Sequence, residues 1–128
     1  MAEKTIDIAS PILSRNERLA DQLRQRFEQT NTYVINVLSS PGSGKTTTIL
    51  GTNERLRDKA GLRCAVIEGD IASDVDAITM KEAGMPAIQI NTGGLCHLEG
   101  NMIMEAVDAF DQAVGLQNID VIFIENVG

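Results

Sequence analysis

A glycine-rich segment in the first half of the chain carries residue types suited to holding phosphate groups. Residues 39–47 (SSPGSGKTT) match the pattern G-x-x-x-x-G-K-[ST] at every fixed position except the first, where Ser39 replaces glycine. The two glycines let successive backbone N–H groups curl around phosphate oxygens, Lys45 adds an ammonium beside the β- and γ-phosphates, and the Thr46 hydroxyl suits Mg²⁺. The alternative is a turn that only joins a strand to a helix. The residues predicted to bind a nucleotide are Gly42, Ser43, Gly44, Lys45, Thr46 and Thr47.

Acidic residues close two apolar runs elsewhere in the chain. Asp70 follows the run at residues 63–68, and Glu125 ends the run at residues 120–125. At the carboxyl ends of parallel strands such groups can hold Mg²⁺, directly or through water, or orient an attacking water. Each could instead be an ordinary turn or helix-capping carboxylate. We predict that Asp70 and Glu125 act with Lys45 in catalysis and that Asp70 shares Mg²⁺ with Thr46.

A third segment combines a thiol and an imidazole. Residues 91–99 (NTGGLCHLE) place His97, the single histidine, next to Cys96, one of two cysteines. Thiolate and imidazole suit Ni²⁺ or Zn²⁺, but two ligands do not close a site, so others must come from elsewhere, including a symmetry mate. By itself the pair is equally compatible with a half-buried cysteine beside a capping histidine. Cys64, inside an apolar run, is predicted to belong to the core.

The spacing of apolar residues predicts the helices and strands that would position these residues. A capping-box pattern at Ser14–Glu17 predicts the start of a first helix, and Gly61 and Gly84 are placed to end later ones. Predicted strands cover 33–38, 63–68, 87–90 and 120–125, and predicted helices cover 45–60, 74–83 and 99–114. Apolar strands alternating with amphipathic helices indicate an α/β fold, a doubly wound parallel sheet with helices on both faces.

Composition limits the function classes. The chain has 128 residues, 43% of them hydrophobic and 23% charged, which fits one globular domain. Few aromatic residues (3%) and a net charge of −7 argue against a nucleic-acid or anionic-membrane partner. Residues 1–63 carry a balance of +3 and residues 64–128 a balance of −10. This asymmetry fits an anion bound by the first half of the chain and cations bound by the second half. It also fits two solvated faces of different charge.

The start of the chain is charged and no apolar run approaches the ~18 residues of a membrane span, so we expect neither a signal peptide nor a membrane anchor. Two cysteines in such a chain indicate reduced thiols and a cytoplasmic location.

Taken together, four segments resemble the HypB family, which matures [NiFe]-hydrogenases. The segments are 39–47, 66–70 (VIEGD), 89–99 and 124–128 (IENVG), and the resemblance spans about residues 14–128. It implies a SIMIBI-type P-loop GTPase that binds GTP with Mg²⁺ and delivers nickel. It also implies that Cys96 and His97 bind Ni²⁺ or Zn²⁺ at the interface of a homodimer. Implied partners are other maturation proteins and the hydrogenase large subunit.

The resemblance also divides the chain into an N-terminal helical segment, 1–30, and the N-terminal part of a GTPase domain, 31–128. Family members continue past the position of Gly128 to a further cysteine and a base-recognition motif, so the domain is expected to be incomplete at the C-terminus. They often carry Cys-rich or His-rich N-terminal tracts that are absent from this sequence, and Asp where Glu99 stands.

Other functions stay open. The related urease accessory GTPase UreG shares the loop, although its Cys-Pro-His and Glu-Ser-Gly-Gly motifs differ from residues 96–97 and 125–128. Another small P-loop NTPase or kinase, or a non-catalytic nucleotide- and metal-binding dimerisation module, is also compatible with the residues. The preference for guanine rests on the resemblance alone.

Overall fold

Eight main elements alternate along the chain in the computed structural model, which describes residues 10–39, 45–69, 75–90 and 100–127. The helices are α1 (Ser10–Thr30), α2 (Lys45–Ala60), α3 (Val75–Glu82) and α4 (Gly100–Ala113). The strands are β1 (Tyr33–Ser39), β2 (Cys64–Glu68), β3 (Ala87–Gln89) and β4 (Val121–Val127). A single 3₁₀ turn, Leu116–Asn118, precedes β4.

The strands form one parallel sheet in the order β1-β4-β2-β3. The connections through α2 and α3 run in one direction across the sheet, and the connection through α4 runs back. Because parallel crossovers are right-handed, a reversal of direction moves the connecting helix to the opposite face. The core clusters agree, since α2 and α3 pack on one face and α1 and α4 on the other. The predicted doubly wound α/β fold is confirmed.

Alternate strand residues build two separate cores. Ile122 and Ile124 of β4 face the side covered by α1 and α4, called the α1/α4 face, whereas Val121 and Phe123 face α2 and α3, the α2/α3 face. β2 alternates in the same way, and its residues Cys64–Glu68 are all buried. A strand buried on both faces needs the continuous apolar run that the sequence contains.

One residue near the amino ends of the strands joins three of them. The Asp120 carboxylate accepts hydrogen bonds from the Arg63 backbone N–H (2.7 Å) and from Arg63 Nε (3.2 Å). The Asp120 carbonyl accepts from the Tyr33 N–H at 2.9 Å, and its own N–H donates to the Arg63 carbonyl at 2.8 Å. The hydrogen bond from the Arg63 backbone is the main cause that lowers the pKa of Asp120.

Most predicted boundaries agree with the structure within two residues. The exception is α1, which begins at Ser10, so the prediction that it starts at Ser14 is wrong. The Ser-x-x-Glu spacing that marks a capping box also occurs inside a helix, where residues i and i+3 share a face. β4 continues two residues past the predicted end because its pairing with β1 extends to Ser39 and Val127. Gly61 and Gly84 end their helices with φ of 65° and 80°.

Candidate nucleotide and metal site

The start of α2 is the element that would hold phosphate. β1 ends at Ser39 and α2 begins at Lys45, which gives the strand–loop–helix order that a phosphate loop requires. The first turn of α2 contains no acidic residue, so its free backbone N–H groups and the positive end of its dipole favour an anion. Lys45 and Thr46 are the first two residues of this helix, and Thr47 is exposed. Gly42, Ser43 and Gly44 lie outside the described residues.

Glu125 lies at the same edge of the sheet as the start of α2. All four strands are parallel, so their carboxyl ends share one edge, and Ser39 at the end of β1 pairs with Val127 at the end of β4. Glu125 is two residues before that point and alternates with Ile124, which packs on the α1/α4 face. Its side chain therefore belongs to the α2/α3 face, on the side of the helix that starts at Lys45.

A second carboxylate, which the sequence analysis did not select as a site residue, stands beside Glu125. Glu68 pairs in register with Glu125 on one side and with Gln89 on the other. Both glutamates are buried, with 1% exposure. Only the strand register brings them together, although one signal existed in the sequence, since each is the polar residue that ends an apolar run.

Main-chain hydrogen bonds continue past these residues. The Gly69 N–H donates to the Glu125 carbonyl at 2.9 Å, and the Ile90 N–H donates to the Glu68 carbonyl at 2.8 Å. These bonds hold the ends of β2, β3 and β4 in alignment at the edge where α2 begins. Carboxylate oxygens held at such an edge are hard ligands of the kind that suits Mg²⁺ or orients a water molecule.

The remaining predicted ligands follow the carboxyl ends of strands in the sequence, but the structure does not describe their positions. Asp70 directly follows Gly69, and the segment 91–99, with Cys96 and His97, begins just after β3 and ends where α4 starts at Gly100. Asp70, Cys96 and His97 themselves lie outside the described residues, and their roles stay predictions. Within the described ranges, no group of three or more His, Cys, Asp or Glu side chains is arranged to hold a metal ion.

Cys64 is a core residue, as predicted. It is buried at the start of β2 and packs in the α2/α3-face cluster with Val66 and Met80. Burial, with a smaller contribution from the Asp120 charge, raises the pKa of its thiol to about 11. The thiol is therefore neutral near pH 7 and is a poor metal ligand. Glu68 lies four positions further along the extended strand, about 13 Å away.

The comparison with protein families identifies this arrangement. Residues 33–128 match the model of the CobW/HypB/UreG family, nucleotide-binding domain. The chain belongs to the CobW/HypB/UreG family. The match begins at the first residue of β1 and spans all four strands, so it includes the loop before α2 and the edge that carries Glu68 and Glu125.

Several curated and solved relatives of this chain are HypB proteins. The hydrogenase/urease maturation factor HypB of Helicobacter hepaticus is 43% identical over 126 residues, which are 98% of this chain and 50% of that protein. The crystal structure of HypB from Helicobacter pylori in complex with nickel superposes with a TM-score of 0.77 at 38% identity, covering 89% of this chain and 51% of that one. The chain thus spans about half the length of these HypB relatives.

A more distant structure supports the P-loop GTPase fold of the SIMIBI type. The signal recognition particle receptor FtsY from Elizabethkingia anophelis, in complex with GDP, has a TM-score of 0.51 and 28% identity over 76% of this chain and 29% of that one.

In the part of the chain that the structure describes, no helix is long and apolar enough to cross a membrane.

Proposed function

We propose that this chain binds GTP with Mg²⁺ and carries Ni²⁺ or Zn²⁺, as the nucleotide-binding part of a HypB-type metallochaperone in [NiFe]-hydrogenase maturation. The observation that carries the proposal is its similarity to HypB proteins along almost its whole length, 43% identity over 126 residues for the Helicobacter hepaticus protein. The proposal includes GTP hydrolysis, a homodimer, a cytoplasmic location, and contacts with other maturation proteins and the hydrogenase large subunit.

In the nucleotide half of the proposal, residues 42–47 enclose the phosphates. Backbone N–H groups of the loop and of the first turn of α2 would donate to phosphate oxygens, and Lys45 would neutralise charge on the β- and γ-phosphates. Mg²⁺, when bound through Thr46 and Asp70, would offset the charge of the triphosphate. Glu125, held at the edge of the sheet beside Glu68, would orient the attacking water.

In the metal half, the ion is cargo. Cys96 and His97 offer a thiolate and an imidazole, the donor types that bind Ni²⁺ and Zn²⁺. Two donors leave coordination positions to fill, and a second copy of the chain would supply a matching pair in a homodimer. Nucleotide contacts at residues 42–47 would then bias an interface that also holds the metal.

A non-catalytic nucleotide- and metal-binding module that dimerises is the second candidate. It shares the binding residues with the first candidate and differs only in turnover.

The test of the proposed function is nucleotide binding by wild type, Lys45→Ala and Lys59→Ala, with a fluorescent GTP analogue and its ATP counterpart. We expect wild type to prefer GTP and Lys45→Ala to lose triphosphate binding, because the variant lacks the ammonium of the phosphate loop. Lys59 is the matched control, since it is exposed in the last turn of the same helix.

Unchanged affinity in Lys45→Ala would contradict the phosphate loop, and equal loss in both variants would indicate a damaged helix. Phosphate release measured on the same samples separates the two candidates. Turnover that Lys45→Ala removes supports the GTPase, and tight binding without turnover supports the module.

A further inference from the structure

The N-terminal helix α1 packs along α4, the helix that follows the segment with Cys96 and His97. Leu23 of α1 is buried in the same cluster as Ala106, Val107 and Phe110 of α4. Leu19 lies against the first residue of α4, where a Cβ added to Gly100 would stand 3.4 Å from the Leu19 Cβ. This distance is an ordinary van der Waals contact, so α1 touches α4 at the point where α4 begins.

Arg26 ties the two helices together a further two turns along. Its Nη1 donates to the Asp108 carboxylate at 2.6 Å and lies 3.3 Å from the Met104 sulfur, and its Nη2 is 3.6 Å from the Asp111 carboxylate. Arg26 keeps 27% of its side chain exposed and the two aspartates about half of theirs. The strength of such a partly solvated ion pair depends on the neighbouring charges and on the salt concentration.

The other arginine of this turn makes no such link. Arg24 pairs with Asp21 at 2.8 Å within α1, and both side chains are more than 60% exposed. Two arginines of one helix, two residues apart, therefore differ in whether their partner lies on α4. This difference provides a matched control for the role of the link.

The position of α4 matters because it begins three residues after His97 in the sequence. The phosphate loop leads into α2, which packs on the opposite face of the sheet from α1. We infer that Arg26 is a positioning residue for metal binding: through Asp108 and Asp111 it holds α4, and with it the anchor of the Cys96-His97 segment. The inference rests on the proposed metal role of those two residues.

The experiment titrates Ni²⁺ into wild type, Arg26→Glu, Arg24→Glu and the charge-swapped pair Arg26→Glu/Asp108→Arg, with calorimetric detection. Arg26→Glu places a carboxylate against two others, and we expect it to weaken Ni²⁺ binding roughly fivefold, within the range for residues that act through a packed element. The swapped pair should recover most of this loss, and Arg24→Glu should match wild type.

Two further measurements separate positioning from general loosening. Binding of the GTP analogue should stay within about twofold of wild type in Arg26→Glu, because α1 and α2 lie on opposite faces of the sheet. Amide hydrogen exchange should speed up at the start of α4 and not in α2. A parallel loss of nucleotide and metal affinity would overturn the inference, as would unchanged Ni²⁺ affinity.

Cys96→Ala in the same titration separates this inference from the function beneath it. If Cys96→Ala weakens Ni²⁺ binding and Arg26→Glu does not, the positioning role is wrong and the metal proposal stands. If Cys96→Ala has no effect, the metal proposal fails and the positioning role fails with it.

Discussion

Cys64 and Cys96 give the chain two thiols with opposite chemical expectations. Cys64 is buried in the α2/α3-face cluster and its pKa is raised to about 11, so its proton stays on at physiological pH. A neutral thiol inside a core contributes packing and no charge for a cation. Cys96 has an imidazole as its neighbour in the sequence, which is the combination that borderline metals prefer. One cysteine therefore serves as the control for the other.

Replacing Cys96 or His97 by alanine is expected to weaken Ni²⁺ or Zn²⁺ binding at least tenfold, because each change removes a direct ligand. Cys64→Ala should leave the metal affinity unchanged and lower only the free energy of unfolding. Titration with each metal, monitored by calorimetry, gives the affinities. A metal affinity that is indifferent to Cys96→Ala and His97→Ala would make the pair an ordinary cysteine beside a capping histidine.

At the scale of elements, the two ends of the sheet differ in the residues that they carry. The amino ends are joined by Asp120, whose carboxylate and main chain contact β1 and the residue before β2. The carboxyl ends carry Glu68 and Glu125 beside the start of α2. The hydrogen bonds at the amino ends are consistent with the same strand register that places the two buried glutamates side by side at the carboxyl ends.

Asp120→Ala should lower the free energy of unfolding by about 1–2 kcal/mol at pH 7, because the Arg63 N–H loses a charged acceptor. The folded-state pKa of Asp120 is lowered, so this contribution is present above about pH 4 and is lost as the pH falls below it. Urea unfolding of both proteins across this pH range measures the difference.

The control for this prediction is Asp21→Ala, which removes an exposed pair with Arg24 and should cost less than about 0.5 kcal/mol. A stability difference between wild type and Asp120→Ala that stays constant from pH 7 to pH 3 would show that the carboxylate charge is not the cause.

At the scale of the whole molecule, α1 shares its core with the sheet. Leu23 is 7% exposed and belongs to the cluster that contains Ile67, Ile122 and Phe110. The division of the chain into a helical segment, 1–30, and a GTPase part, 31–128, stays a prediction. A shared core favours cooperative unfolding of both parts.

Leu23→Ala should lower the free energy of unfolding by about 2–3 kcal/mol and keep a single transition, because the cavity opens in a core common to α1, α4 and the strands. Gln25→Ala, at an exposed position of the same helix, should change it by less than about 0.5 kcal/mol. Circular dichroism and sheet-specific hydrogen exchange would follow the transition. Loss of α1 helicity well before the sheet unfolds would contradict a common core.

Most elements could be predicted because local patterns specify them. The apolar runs predicted the strands within two residues, and glycines at positions 61 and 84 ended their helices as expected. The start of α1 could not be predicted in this way, since the Ser14–Glu17 spacing fits both a helix terminus and a helix interior. The order of the strands was also beyond local patterns, because β4 lies between β1 and β2 although it comes last in the chain.

The sequence by itself determined the parallel α/β architecture, the strand–loop–helix order at Lys45 and the core role of Cys64, because spacing and hydrophobicity are local properties. Only the tertiary structure decided that Glu68 stands beside Glu125 and that Arg26 reaches Asp108. Both pairs join residues far apart in the chain. The period of a strand or helix predicts which of its side chains share a face. Strand register and helix packing determine which residues of other elements contact that face.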